Sequence, residues 1–233
     1  MPDEVVDTPF GKFLVNPAEC IGGCVKGGTV WDGPGFLQVI AREHGRLGEV
    51  DTTILDVGAH LGDWTVWLAQ QGAWRVVAVE PAPVMIQYLK ANLDLNKEIC
   101  AERVVVVPVA AYSERTTLRW TVPYVPQDAG GAALSPAGVE AEIPAAPLDD
   151  FRFLYGRRVS LIKIDAQGCD FAALLGLEQT IREHQPTIVF EWEPELAKAH
   201  GHTLEGCVDW LGTQGYQVQE WPSHRQNYLA VPR

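Results

Sequence analysis

The stretch Thr53-Ile54-Leu55-Asp56-Val57-Gly58-Ala59-His60-Leu61-Gly62 decides the fold. Its β-branched, apolar start predicts a strand, and the pattern from Asp63 to Gln71, with Trp64, Trp67 and Leu68, predicts a helix. The glycines therefore occupy a strand-to-helix turn. In a parallel α/β sheet that turn lies at the carboxyl end of the first strand, where ligands bind. Val76-Val77-Ala78-Val79 reads as the second strand, and Glu80 ends it. An acid about 20 residues past a Gly-rich turn is where a ribose diol is held. Together the two features point to an adenosyl cofactor.

The turn also discriminates among such cofactors. A dinucleotide fingerprint has glycine two positions after its first, so that backbone presses against a pyrophosphate. Here that position is His60, and no Gly-Lys-Ser/Thr phosphate loop follows. A cofactor with ribose and adenine but no phosphate fits better. S-adenosylmethionine (SAM) is the candidate, with its methionyl end over Gly58–Gly62 and its ribose hydroxyls on Glu80. The bland alternative is a glycine turn that only joins strand to helix. The acid at ribose spacing weighs against it, because packing does not require one.

Working outward, strands and helices alternate. Arg103–Val109 is a continuous β-branched run, expected as a strand buried on both faces. Val159–Asp165 and Thr187–Glu191 supply two more strands. Helices are expected from Pro83 to about Asn96, with Met85, Leu89 and Leu93 inward, over Phe171–Leu177, and over Leu204–Gln214, with Leu204, Val208 and Leu211 inward. Gly215-Tyr216 opens one terminal strand and Asn227–Val231 forms another, antiparallel at the sheet edge. The order implies an α/β, doubly wound, mostly parallel sheet of the Rossmann-like class. Thr116–Val122 and Val139–Ile143 read as an inserted hairpin around Pro123–Pro136, which either covers a substrate or is a disordered surface loop. Residues 1–48 read as an N-terminal cap, with extended pieces at Phe10–Val15 and Val25–Lys26 and a helix at Phe36–His44. Residues 49–233 make the cofactor-binding domain.

At 233 residues the chain suits one such domain with a full core, and 47% hydrophobic and 21% charged residues are ordinary for a soluble globular protein. No apolar run spans a bilayer, and Met1–Thr8 lacks a basic-then-apolar signal, so a cytoplasmic address is expected. The net charge of −12, with basic residues scattered, disfavours nucleic acid. Arg157-Arg158 is more in keeping with a solvated surface than a binding groove. Cys20, Cys24, Cys100, Cys169 and Cys207 have no regular zinc spacing and read as thiols in a reducing compartment.

Two further acids end strands. Asp165 closes Leu161-Ile162-Lys163-Ile164-Asp165 and Glu191 closes Thr187-Ile188-Val189-Phe190-Glu191. With both strands expected beside the first, these carboxylates project into the cofactor crevice as a general base, cofactor anchors, or ligands to a divalent ion such as Mg. The competing reading makes Asp165 a cap of the turn at Gln167-Gly168. Lys163 alternates onto the same face as Asp165, which permits an ion pair. His60 is a second candidate base or a hydrogen-bonding scaffold. Trp31, Trp64, Trp120 and Trp192 fall near ligand-end positions and are candidates for an apolar acceptor pocket, with core packing as the commoner use.

The runs IL-DVGAHLGDWT, VVAVEPAP, L-KANLDLN, PLDDF, LIKID-AQGCD and PTIVFEWEP, taken in order from about residue 30 to 218, resemble the FkbM family of SAM-dependent methyltransferases. The resemblance implies a class I methyltransferase fold and O-methylation of small metabolites, polyketides or sugars. It implies that Asp56, Gly58, Ala59, His60, Gly62 and Thr65 surround the methionyl part of SAM, with Asp63 and Pro81 of the same motifs in the cofactor-binding set. It puts Glu80 on the ribose and Asp165 beside the reactive methyl. The family usually reads KIDVEGAE where this chain reads KIDAQGCD, so Gln167 replaces an acid and Asp170 keeps one. An amide accepts a hydrogen bond but takes no proton near pH 7. The expectation is an O-methyltransferase with a small-molecule acceptor, natural-product biosynthesis as its setting, and homo-oligomerisation left open. The alternatives are a nucleotide-cofactor oxidoreductase or epimerase, and a SAM-binding module without turnover.

Overall fold

The computed structural model describes residues 3–18, 20–29, 52–71, 75–121, 133–135, 141–221 and 226–233. The expected helix at Phe36–His44 and the side chains of Trp31 and Trp120 lie outside what is described. The chain begins with a hairpin, β1 (Glu4–Thr8) and β2 (Gly11–Val15), followed by α1 (Cys20–Lys26). The expected extended piece Val25–Lys26 is instead the end of this helix. Gly22 and Val25, one helical turn apart, bury together, and the Gly27 N–H continues the pattern onto the Gly23 carbonyl.

The central layer is a seven-stranded sheet of order β12-β13-β11-β10-β3-β4-β5. Its members are β3 (Thr52–Val57), β4 (Arg75–Val79), β5 (Val104–Val107), β10 (Arg158–Ile164), β11 (Thr187–Glu191), β12 (Tyr216–Glu220) and β13 (Asn227–Pro232). The β11-β10-β3-β4-β5 pairings are parallel; β13 runs antiparallel to both β11 and β12. β5 is an edge strand, so Val104–Val106 are half-buried rather than enclosed on both faces. β3 is buried at every position, because both faces of a parallel sheet are covered. β11 lies next to β10 and one strand away from β3, not beside β3 as the motif order suggested.

Period-two alternation divides the core. Leu55, Val57, Val77, Val79, Ile162, Ile164, Ile188 and Phe190 face one way, onto α5 (Asp170–Leu175), α6 (Glu178–His184), α7 (Pro194–Ala199) and α8 (Leu204–Thr213). Ile54, Val76, Leu161, Val189 and Leu229 face the other way, onto α2 (Asp63–Gln70) and the hairpin residues Phe10, Phe13 and Val15. Trp64 and Trp67 meet edge to face in that second core, 5.7 Å apart. α3 (Pro83–Leu95), with Met85, Leu89 and Asn92 buried and Leu93 half-buried, and the short α4 (Lys97–Cys100) flank it. Between β5 and β10 lies a small sheet of order β6-β9-β7-β8, formed by Ala110–Ala111, Ala141–Ala146, Thr116–Thr121 and Ala133–Ser135. The expected hairpin is present as β7 against β9, and β8 adds a strand from within the stretch read as loop. No helix among the described residues is long and apolar enough to cross a membrane.

Candidate functional site

The turn after β3 is shaped by what it touches. Gly58 has φ 78°, and a Cβ there would lie 1.8 Å from the Asp165 carbonyl oxygen, so only glycine fits between the two strand ends. Gly62, at φ 91°, lies against Leu89 of α3 in the same way, its Cβ position 2.6 Å from Leu89 Cδ1. His60 adopts a left-handed φ of 51°. The turn's amides are committed inward: Gly58 and Ala59 donate to the Val79 carbonyl, Gly62 to the Ala59 carbonyl, and His60 to Glu80 Oε2 at 2.8 Å. A phosphate site needs such N–H groups aimed outward. This turn spends them on its own closure, a second and independent reason that a diphosphate does not belong here.

Glu80 is buried, and both its oxygens accept backbone N–H groups, Oε2 from His60 and Oε1 from Ala82, each at 2.8 Å. Burial pushes its carboxyl up to about 7, against those two bonds, and the charges of Asp165 and Asp56 add to the rise. A carboxylate oxygen has two lone pairs, so each retains capacity for a ligand hydroxyl. Pro81 follows, half-buried.

The register of the central strands builds the second part. Asp56 of β3 pairs with Lys163 of β10, and their side chains share one face. Lys163 Nζ lies 3.6 Å from Asp56 Oδ1 and 3.8 Å from Asp165 Oδ2. Asp56 is wholly buried; Thr65 Oγ1 donates to its Oδ2 at 2.5 Å, fixing it to α2, while Oδ1 makes no hydrogen bond. Asp63 and Thr65 are buried at the start of that helix, and Ala59 packs with Ala78 and Leu89.

The loop after β10 forms the third part. Asp170, not Asp165, closes this turn: it accepts the Ala166 N–H at 2.9 Å and the Gly168 N–H at 3.0 Å. Asp165 is thereby left to face the cleft, with 23% of its side chain exposed. Gln167, at φ 49°, donates through Nε2 to Asp165 Oδ1 at 3.0 Å and to Glu191 Oε2 at 3.5 Å. The amide thus bridges the carboxylates that end the neighbouring strands β10 and β11. Burial pushes Asp165 up, yet the Lys163 ammonium, the bonds with Glu191 and Gln167, and nearby His60 outweigh it and hold the carboxyl below its usual range. Burial pushes Glu191 well up, and the Asp165 charge adds to it. The pair therefore shares one proton, carried by Glu191, and leaves Asp165 ionised.

The structure thus brings Asp56, Gly58, Ala59, His60, Gly62, Asp63, Thr65, Glu80, Pro81, Asp165 and Glu191 to one end of the sheet. Trp64 and Trp192, each 4% exposed, belong to the cores and not to an acceptor pocket. Two residues escaped the sequence reading. Asn92 is fully buried beneath the turn; its polarity on an otherwise apolar helix face was the available signal. Gln167 was read as a lost acid, whereas it is the clamp. Asp165 Oδ2 faces the Lys163 ammonium and Oδ1 the Gln167 amide. No group of three or more His, Cys, Asp and Glu among the described residues is placed to hold a metal ion.

The family model described as the methyltransferase FkbM domain matches residues 56–218. No curated protein matches the chain. Among solved structures, a methyltransferase FkbM from Methylobacillus flagellatus KT aligns with a TM-score of 0.56 and 21% identity, over 78% of this chain and 44% of that one. This chain therefore spans less than half the length of that protein. An O-methyltransferase from Bacillus cereus, in complex with SAH, aligns with a TM-score of 0.50 and 15% identity over 85% of this chain and 79% of that one. At these identities the likeness shows the fold, which is that of class I methyltransferases.

Proposed function

Because this chain belongs to the FkbM methyltransferase family, we propose that it transfers the methyl group of SAM to a hydroxyl of a small molecule, a secondary metabolite or a sugar, with Asp165 taking the hydroxyl proton. The observation that carries this reading is the state and place of Asp165. An ionised, partly exposed carboxylate stands directly beside the Gly58 turn, held below its usual range by Lys163 and Gln167.

In this reading Glu80 holds the ribose diol, and the turn from Gly58 to Gly62, with Asp56, Asp63 and Thr65 behind it, supports the methionyl end. Asp56 Oδ1 makes no hydrogen bond and faces the Lys163 ammonium at 3.6 Å, which keeps this carboxylate fixed behind the turn. SAM supplies the methyl on a sulfonium, so transfer needs no acid at the leaving group. The protein's task is orientation of an acceptor oxygen about 3 Å from the methyl carbon and removal of its proton. Asp165 accepts that proton. Glu191 already carries one and holds Asp165 in place, and Gln167 fixes the distance between them.

The test is formation of S-adenosylhomocysteine from SAM over a panel of hydroxylated acceptors, with wild type and Asp165→Asn compared. Turnover is expected to fall about 10²- to 10⁴-fold in the variant, with affinity for S-adenosylhomocysteine unchanged. Wild-type turnover in Asp165→Asn would remove that residue from the base role.

A further inference from the structure

The matched family domain begins at residue 56, yet the turn that begins there is braced from outside it. Asn92, in the last turn of α3 and 0% exposed, has a side chain that serves two segments at once. Its Nδ2 donates to the Leu61 carbonyl of the turn at 2.8 Å and to the Leu14 carbonyl of β2 at 3.2 Å. Its Oδ1 accepts the Leu14 N–H at 2.6 Å. One amide therefore holds hairpin and turn together.

Asn96, one helical turn further on, holds the same hairpin without reaching the turn. It accepts the Lys12 N–H at 3.1 Å and donates to the Lys12 carbonyl at 2.7 Å. The fit is close: a Cβ at Gly11 would lie 2.4 Å from Asn96 Oδ1. The hairpin also buries Phe13 and Val15 completely against the core that contains Leu61 and Trp64, and Gln70 at the end of α2 donates to the Phe10 carbonyl.

We infer that Asn92 is a positioning residue for the cofactor turn, and that through it the N-terminal hairpin, outside the matched domain, sets how firmly that turn is held and so how tightly SAM binds. The link to SAM rests on the function proposed above; the link between hairpin and turn does not. A buried amide with all three bonds made is rigid, because each unmade bond would cost the full desolvation of a polar group. If the Leu14 end is released, the Asn92 side chain gains freedom to turn away from the Leu61 carbonyl. The turn then keeps the bonds of Gly58 and Ala59 to Val79, His60 to Glu80 and Gly62 to Ala59, and loses its brace at the Leu61 carbonyl.

Hydrogen exchange of the apo protein tests the bracing, and calorimetric titration with S-adenosylhomocysteine tests its consequence. Asn92→Ala and the milder Asn92→Asp, which retains the acceptor for the Leu14 N–H but has no amide donor, are each expected to speed exchange over residues 58–62. Both are expected to raise the Kd about five- to tenfold, the equivalent of one lost hydrogen bond. Asn96→Ala is the comparator: it loosens the hairpin at Lys12 and leaves turn exchange and Kd as in wild type. Leu14→Pro, which removes the N–H that Asn92 accepts, is expected to speed turn exchange although it changes no residue of the matched domain. Turn exchange no faster in Asn92→Ala than in Asn96→Ala, or unchanged in Leu14→Pro, overturns the inference. A wild-type protein that gives no heat with S-adenosylhomocysteine overturns the cofactor reading instead, and the exchange result still decides the bracing.

Discussion

Replacing Glu80 by Gln probes the cofactor site without knowledge of the acceptor. The wild-type carboxyl sits at about 7 because burial outweighs the His60 and Ala82 N–H bonds, with Asp56 and Asp165 adding repulsion. A ribose diol donates two hydroxyls, which favours the ionised form, so binding releases a proton wherever the apo site is protonated. A group titrating at about 7 is roughly one-tenth ionised at pH 6 and nine-tenths at pH 8, so the Kd for S-adenosylhomocysteine is expected to be about tenfold weaker at pH 6. In Glu80→Gln one oxygen becomes an amide NH2 group, which faces a backbone N–H as donor against donor and accepts no hydroxyl. Loss of one charge-assisted bond, about 1.5–3 kcal/mol, weakens binding about 10- to 150-fold at pH 8 and removes the pH slope. Isothermal titration at pH 6, 7 and 8, in two buffers of different ionisation heat, reads both affinity and proton release. Wild-type affinity in the variant, or a slope that survives it, would refute the ribose role of Glu80.

Three further expectations follow from the same geometry. Gly58→Ala drives a Cβ into the Asp165 carbonyl at a positive φ, and a loss of about 2–6 kcal/mol is expected from urea denaturation; a loss under about 1 kcal/mol would mean the strand ends are not so close. Gln167→Glu puts a third carboxyl within reach of Asp165 and Glu191. Unit charges about 4 Å apart repel by about 4 kcal/mol at an effective dielectric of 20, so the acid limb of kcat/KM should move up by about one pH unit or more, and an unmoved limb counts against the clamp. Asp170 is raised by burial to about 7 from an ordinary 3.8. A raised folded value means its stabilising effect is complete below about pH 4 and is lost as pH climbs through 7, with Glu80 and Glu191 acting in the same sense and Asp165 opposing. The urea midpoint is therefore expected to be higher at pH 5 than at pH 8, and Asp170→Asn to narrow that gap; an unaltered gap would show that Asp170 does not titrate there.

Much of the site was legible along the chain because its parts are local. A strand, a glycine turn and an acid at the next strand end are each fixed by periodicity and by backbone demands that few residues meet, so the positions of Asp56, Gly58, Gly62 and Glu80 at one edge of the sheet were legible directly. The acids of β10 and β11 were found by the same rule, that strands end at the ligand edge. The rival reading of Asp165 as the cap of the Gln167-Gly168 turn falls away, because the helical start at Asp170 brings that residue's oxygens to the Ala166 and Gly168 amides; nothing along the chain announces this.

Patterns a few residues long set the class of fold and put Asp56, Gly58, Gly62, Glu80, Asp165 and Glu191 at the carboxyl ends of the strands. Tertiary structure alone decided which of those residues act on one another. The β3–β10 register set Lys163 between Asp56 and Asp165, the Gln167 amide bridged Asp165 and Glu191, and Asn92 joined the hairpin to Leu61, 31 positions before it in the chain. Such partnerships depend on distances across the sheet, and a buried polar group's energy is set by the partner that packing delivers to it rather than by its neighbours along the chain.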